Sequence, residues 1–377
     1  MAPFTYTSQA SRVVFGAGAL QHLTREIDLL GARRALVLST PEQADAARRV
    51  VELLGERAAG IYPQAKMHVP IETARAARDE ARRLGADCAV AIGGGSTIGL
   101  GKAIALEASA DAPFPILAIP TTYAGSEMTS IYGLTEGGVK KTGRDLRVLP
   151  KTVIYDPELT LTLPLDMTVT SAMNAIAHAA EGLYAHDGNP ILALMAEEGI
   201  RAAAAALPRL AANPLDLAAR SDAQYAAWLC GSVLGQVSMG LHHKLCHTLG
   251  GTFNLPHAEV HTVILPHALA YNADAAPEAM RRIVRALGSH DTRRSDREGA
   301  AAMPSHTTGI ASAAAGVFDL ARTHGAPTAL RDIGMPGDGL DRAVDLAVQT
   351  PYPNPRPLER AAVRELLQHA YDGTRPD

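Results

Sequence analysis

Apolar positions in the first part of the chain follow two alternating patterns. Short, largely apolar runs at 12–15, 34–38, 87–92, 116–119 and 152–155 read as strands. The segments 41–54 and 71–84, and the one that opens at Gly93-Gly94-Gly95-Ser96 and runs to 107, repeat apolar residues at helical spacing. Strands that alternate with helices predict a mostly parallel sheet covered on both faces. After about residue 156 the short runs stop. The segments 167–184, 191–207 and 217–237 are alanine-rich and helical in period, and 311–324 and 358–371 continue the pattern. The chain therefore reads as a Rossmann-like α/β domain over 1–160 followed by an all-helical domain over 161–377. The polar, charged segment 289–305 reads as an exposed connection, and no internal repeat interrupts the plan.

A length of 377 residues agrees with two domains. A hydrophobic fraction of 47% and a net charge of −4 exclude intrinsic disorder. With 35 basic against 39 acidic residues, no basic excess points to nucleic acid or to an anionic membrane. No apolar stretch reaches the roughly 18–20 residues that span a bilayer. The first 18 residues hold no basic cluster followed by an apolar run, so no leader peptide is expected. Cys88, Cys230 and Cys246 are odd in number and widely spaced, which favours a reducing, cytoplasmic compartment over a disulfide framework.

Three groups of residues carry chemistry. Gly93-Gly94-Gly95-Ser96 follows a strand and opens a helix, where free N–H groups and the helix dipole favour a phosphate. The spacing is not that of the GxGxxG fingerprint, and a plain tight turn is the other reading. Pro120-Thr121-Thr122-Tyr123-Ala124-Gly125-Ser126-Glu127 follows the 116–119 strand. Its hydroxyls suit a ribose, a phosphate or a nicotinamide amide, and Thr122 or Ser126 would equally cap a helix. Asn174, His178 and Glu181 share one helical face, and His243 and His247 repeat the four-residue spacing. His257 and His261 follow. Lone histidines are commonly satisfied core or surface residues, but several on matching faces point to one site. Lys244, beside these histidines, suits a carboxylate or an oxyanion. Lys140, Lys141, Lys151 and Arg356 are other nearby cations, and Arg144, in a glycine-containing turn, is a weaker candidate of the same kind.

Taken together, GGGS at 93–96, PTTYAGSE at 120–127, PKTVIYDP at 150–157, MNAIAHAAE at 173–181, LHHKLCHTLGGTFNLPHAE at 241–259 and LPHALAYN at 265–272 resemble the iron-containing alcohol dehydrogenase superfamily over nearly the whole chain. GGGSTIGLGKAIAL at 93–106 and PYPNPRPLERAAVRELL at 351–367 make it most similar to the maleylacetate reductase branch. The resemblance implies the dehydroquinate synthase-like fold and a cytoplasmic, dimeric oxidoreductase of aromatic catabolism. Its implied reaction is the NADH- or NADPH-dependent reduction of maleylacetate, a small dicarboxylate, to 3-oxoadipate.

It also implies site residues. Gly94, Gly95 and Ser96 would hold the pyrophosphate, and Thr121, Thr122, Ser126, Lys140 and Leu163 would border the cofactor. His243 and His247 would donate the proton and stabilise the enolate. Lys244 and Arg144 would pair the substrate carboxylates. Metal-dependent members use one Asp and three His, matched here by Asn174, His178, His243 and His257. The neutral amide removes the one full negative charge, so no catalytic metal is expected, although three imidazoles can still hold zinc. Two further departures are Gly99, where the family usually has an acid, and Ser39-Thr40, which offer no carboxylate to repel a 2′-phosphate. The alternatives are a metal-dependent alcohol dehydrogenase or aldehyde reductase of the same superfamily, a lyase related to dehydroquinate synthase, and a non-enzymatic nucleotide-binding protein.

Overall fold

The computed structural model describes residues 4, 6–9, 11–109, 112–137, 139–288 and 312–377, with backbone only at Val139 and Lys140. The chain forms two compact units, Tyr6–Leu163 and Pro164–Asp377. The break falls three residues after the boundary read from the sequence. The Asp156 carboxylate accepts from the backbone N–H groups of Gly18, Leu20 and Glu158, which ties the turn after the last strand to the α/β unit. The expected exposed connection at 289–305 lies outside the described residues.

The α/β unit holds strands β1 (Arg12–Phe15), β2 (Ala35–Leu38), β3 (Ala58–Tyr62), β4 (Cys88–Gly93) and β5 (Ile116–Pro120), a hairpin of β6 (Ile131–Glu136) and β7 (Val139–Arg144), and β8 (Thr152–Tyr155). Six strands form a parallel sheet in the order β1-β8-β5-β4-β2-β3, and β6 and β7 pair antiparallel as a separate sheet. Helices α1 (Leu23–Leu29), α2 (Ala44–Leu54), α3 (Ile71–Leu84) and α4 (Gly95–Leu106) cover the parallel sheet. Strand periodicity sorts its side chains. Val37, Val90, Ile92, Leu117 and Ile119 pack with Leu23 and Ile27 of α1 and Val50 of α2. Leu36, Leu38 and Ala89 point the other way, onto Ala74 and Ala77 of α3 and Leu100 and Ile104 of α4. Each fully buried Leu, Ile or Val contributes roughly 1.5–3 kcal/mol.

Strands β3, β6 and β7 were not read from the sequence. Strand β3 was not expected, because Ala-Ala-Gly-Ile-Tyr on the sheet edge has no strong apolar pattern. Arg144 lies on β7 opposite Ile131, not in a glycine-containing turn. The surrounding Lys and Gly carry little strand propensity, and pairing with β6 overrides it.

The second unit consists, among the described residues, of nine α-helices and short 3₁₀ turns. They are α5 (Leu165–Tyr184), α6 (Pro190–Ala212), α7 (Leu217–Gln236), α8 (Leu241–Phe253), α9 (His257–Asn272), α10 (Pro277–Gly288), α11 (Ala313–Thr323), α12 (Leu340–Val348) and α13 (Arg360–Asp372). Side-chain caps fix several starts. Asn189 accepts from the N–H groups of Ile191 and Leu192, and Asp216 from that of Ala219. Helix α6 passes through Pro208 and ends five residues after the expected 207, although Pro removes one N–H donor from the ladder. Leu245 and Leu249 of α8, Val260 and Ile264 of α9, Val344 of α12 and Leu367 of α13 meet in one apolar core. No described helix is long and apolar enough to cross a membrane.

Inside the α/β unit a buried lysine secures the loop after β5. Lys102 of α4 donates to the Ser126 carbonyl at 2.7 Å, the Thr129 hydroxyl at 2.9 Å and the Ile131 carbonyl at 2.7 Å. Burial pulls the ammonium down to about 7, against the opposing pull of Glu127. Burial pushes the Glu127 carboxyl up, while the Tyr155 hydroxyl donates to it at 2.8 Å. Lys102→Met is expected to lower unfolding stability by about 2–4 kcal/mol, because it strands buried carbonyl acceptors. An unchanged urea midpoint would show that these contacts carry no stability.

Candidate active site

The α/β unit builds its candidate site at the carboxyl ends of β2, β4 and β5. Chain direction reverses there: β2 leads outward to β3, whereas β4 leads the other way to β5. Such a switch point leaves a crevice for a ligand. Gly93 and Pro120 are register partners, and the Thr121 N–H donates to the Gly93 carbonyl at 3.1 Å, so the two motifs are neighbours. Gly93 has φ +150°, and a Cβ there would lie 2.5 Å from the Thr97 hydroxyl and 2.7 Å from Gln43 Oε1. Gly94, Gly95 and Ser96 are partly exposed at the start of α4, whose first N–H groups have no acceptor within the helix.

Thr122 sits beside Gly94, its hydroxyl 3.1 Å from where a Cβ would be. Gln43, which the sequence reading did not single out, donates from Nε2 to the Thr121 hydroxyl at 2.7 Å. Neither Thr122 nor Ser126 caps a helix. Gly125, in the left-handed region, precedes a single 3₁₀ turn at Ser126–Met128. Leu163 is the last residue of this unit, and the Lys140 side chain lies outside the described residues. Arg144 is exposed on β7. At the end of β2, Ser39 is buried and its hydroxyl donates to the Thr40 carbonyl. A carboxylate, Glu42, follows two residues later. Gly99 has a packing reason: a Cβ there would lie 2.8 Å from Val69 Cγ2, so the acid usual in the family would collide with that side chain.

The helical unit gathers its histidines from three helices. Asn174 and His178 of α5, His242 and His243 of α8 and His261 of α9 are all buried. Nitrogen atoms of His178, His243 and His261 lie within 4.8 Å of one another. His178 and His243 stack with centroids 5.1 Å apart, and His261 meets His243 edge-on at 4.9 Å. His257, the family-matched position, is one ring further out. It packs against His261 at 4.4 Å and stacks with the exposed His247 at 6.4 Å. The rings thus run from a buried centre to the surface. Among the described residues, Asn174 Oδ1, His178 Nδ1, His243 Nε2 and His261 Nε2 are buried with no hydrogen-bond partner. Burial, and then the like charges of neighbouring imidazoles, hold His178, His242 and His261 well below the usual histidine range. These rings are neutral at pH 7.

Two partners set the neighbouring rings. The Glu181 carboxylate lies 2.7 Å from His243 Nδ1, and His242 Nε2 lies 2.9 Å from His261 Nδ1. Lys244 is partly buried, with its ammonium 5.9 Å from the Tyr352 ring centroid. The 351–357 segment is tied down by Asn354, which exchanges amide hydrogen bonds with Asn272 and accepts from the Leu241 N–H. Arg356 stacks over Tyr271 at 4.3 Å, which accounts for it structurally. Lys141 pairs with Glu136 on the surface, and Lys151 is exposed. Glu181 and His261 were visible in the sequence only as positions on helical faces. Their partners lie on other helices.

Residues 10–157 match the model of the iron-containing alcohol dehydrogenases, and 168–371 match that of the Fe-containing alcohol dehydrogenase family, C-terminal. The chain belongs to the iron-containing alcohol dehydrogenase family. It is 66% identical over 376 residues to the maleylacetate reductase of Burkholderia cepacia, with all of both chains covered. It is 56% identical to that of Pseudomonas sp. strain P51, with 99% of each covered. The crystal structure of maleylacetate reductase from Agrobacterium tumefaciens superposes with a TM-score of 0.89 at 49% identity, covering both chains fully. The chain is thus an oxidoreductase of a family that uses nicotinamide nucleotides.

The family's name implies iron, and the helical unit can be tested for it. In number and spacing, the three imidazoles and the Asn174 oxygen suit a divalent ion. They offer no full negative charge, because each donor is an imidazole or an amide and the carboxylate beside them, Glu181, is already engaged. Asn174→Asp would restore an anionic ligand and is expected to raise Zn²⁺ affinity at least about tenfold in competition with a chromophoric chelator. Unchanged affinity would remove position 174 from the donor set. In the α/β unit, Gly93→Ala is expected to weaken NADH binding at least about tenfold by fluorescence titration, since the turn cannot form unchanged. Retained affinity would take this turn out of the nucleotide site.

Proposed function

We propose that the chain reduces maleylacetate to 3-oxoadipate with NADH or NADPH, in the cytoplasm. Full-length kinship with relatives named maleylacetate reductase carries the reading, because a cluster of imidazoles alone would suit many carbonyl substrates. The substrate has two carboxylates and a ketone conjugated to an alkene. Hydride from C4 of the nicotinamide adds to the alkene carbon β to the ketone. The electron pair of the double bond moves to the ketone oxygen as an enolate. A proton then reaches the α-carbon, and the oxidised nucleotide leaves. The nucleotide supplies the hydride, and the protein supplies position and electrostatics.

The chain's residues divide this work. Gly94, Gly95 and Ser96 take the pyrophosphate, and Thr121, Thr122 and Ser126 border the nucleotide. His243, buried with an unpartnered Nε2, delivers the proton. His247, exposed, relays protons from solvent and backs the enolate with His257. Lys244 pairs a substrate carboxylate. Arg144 is the weaker candidate for the second carboxylate. His178 and Asn174 offer a neutral, hydrogen-bonding floor for the ketone oxygen. Were a metal bound, His178, His243, His261 and Asn174 would hold it, and it would supply Lewis-acid polarisation of the ketone. The absence of an anionic donor among them supports a metal-independent reduction. The same cluster gives the second reading, a metal-dependent alcohol dehydrogenase or aldehyde reductase, its physical basis.

NADH oxidation by purified protein with fresh maleylacetate is expected to survive prolonged chelation. Activity lost on chelation and regained with Fe²⁺ or Zn²⁺ would select the second reading. No oxidation by folded, nucleotide-binding protein would reject the substrate. His243→Ala is expected to lower kcat by more than about tenfold without changing the thermal midpoint by more than a few degrees. Unchanged turnover would remove His243 from the mechanism.

A further inference from the structure

Glu181 lies three residues after His178 on α5, and its side chain is 1% exposed. Among the described residues its one ion-pair partner is the His243 ring. A carboxylate at this depth is costly unless every oxygen is engaged. Here Oε1 accepts from the His242 N–H at 3.0 Å and Oε2 from those of Gly240 at 3.0 Å and His243 at 3.3 Å. The Tyr184 hydroxyl adds a longer bond to Oε1 at 3.4 Å. Glu181 therefore caps the first turn of α8 from a different helix, where the dipole favours an anion. Gly240 permits the approach, since a Cβ there would lie 3.1 Å from Oε1.

The same carboxylate approaches His243 Nδ1 at 2.7 Å. Both of its oxygens already accept from backbone donors, so neither is arranged to donate to the ring. Nδ1 must carry the hydrogen of this bond, which leaves Nε2 as the ring's other proton site. That Nε2 is the buried atom without a partner. We propose that Glu181 is a positioning residue for the reduction: it holds His243 in the Nδ1–H tautomer and so makes Nε2 the atom that takes up a proton relayed from solvent and then passes it to the substrate enolate. The inference rests on the reduction proposed above. It assigns Glu181 no contact with substrate.

Glu181→Gln separates this role from helix capping. Glutamine keeps the length and one acceptor oxygen, but it presents an NH₂ group to Nδ1 and drives the ring hydrogen to Nε2. With maleylacetate, kcat is expected to fall by about 100-fold or more, the KM values for both substrates staying within a few-fold. Glu181→Asp, which keeps the acceptor, is expected to recover part of the loss. Nitrogen-15 NMR of labelled histidine, assigned by the signal missing in His243→Gln, reads the tautomer directly. Wild type is expected to show Nδ1–H and Glu181→Gln to show Nε2–H. An Nε2–H tautomer in wild type, or unchanged kcat in folded Glu181→Gln, would overturn the proposal. If Glu181→Gln does not fold, the wild-type spectrum and Glu181→Asp decide. A wild type that shows Nδ1–H but does not oxidise NADH with maleylacetate would reject that substrate and leave the tautomer assignment standing.

Discussion

The helical unit depends on the burial of one carboxylate. Glu181 is the point where α5 meets the first turn of α8, and both the helix start and the orientation of His243 follow from it. Removing an isolated carboxylate from water would cost several kcal/mol. Three backbone donors, the helix dipole and an imidazole offset that cost. The arrangement constrains its neighbours in turn. Gly240 has to be small, Asn354 has to reach the Leu241 N–H from another segment, and burial, followed by the nearby carboxylate, pushes the Tyr352 hydroxyl up.

A similar rule governs the other rings. His261 has a ring partner on one nitrogen, His242, and a buried, unpartnered nitrogen on the other. The centre is thus built from buried polar atoms that lack a partner. Native interiors rarely leave several such atoms together. This concentration marks the site more sharply than the histidine count does, because His267, also buried with an open Nε2, lies outside the group of rings.

Much of this was legible in the sequence, and the parts that were not share a cause. The double-faced strands β2, β4 and β5 and the glycine turn announce themselves, since local pattern and tertiary role coincide there. Asn174, His178 and Glu181 could be placed on one face from spacing alone. The hairpin of β6 and β7 and the edge strand β3 were missed because pairing, rather than composition, makes them strands. The spacing of His257 and His261 gave no means to choose between them, and the structure places His261 in the closest group of rings. Which carboxylate orients which imidazole depends on contacts between helices separated by about sixty residues, and no local pattern encodes that.

The Asn354 bond to the Leu241 N–H has a consequence for the order in which this protein can be made. It joins positions 113 residues apart. A ribosome produces Glu181 and the helix that carries it well before residue 354. The α/β unit, by contrast, draws its sheet from residues 12–155 and can close early. During the interval the first turn of α8 lacks its outer support. The nascent helical unit then has an unfinished centre, completed only when residue 354 has been made, so competence arrives late in synthesis rather than growing with chain length.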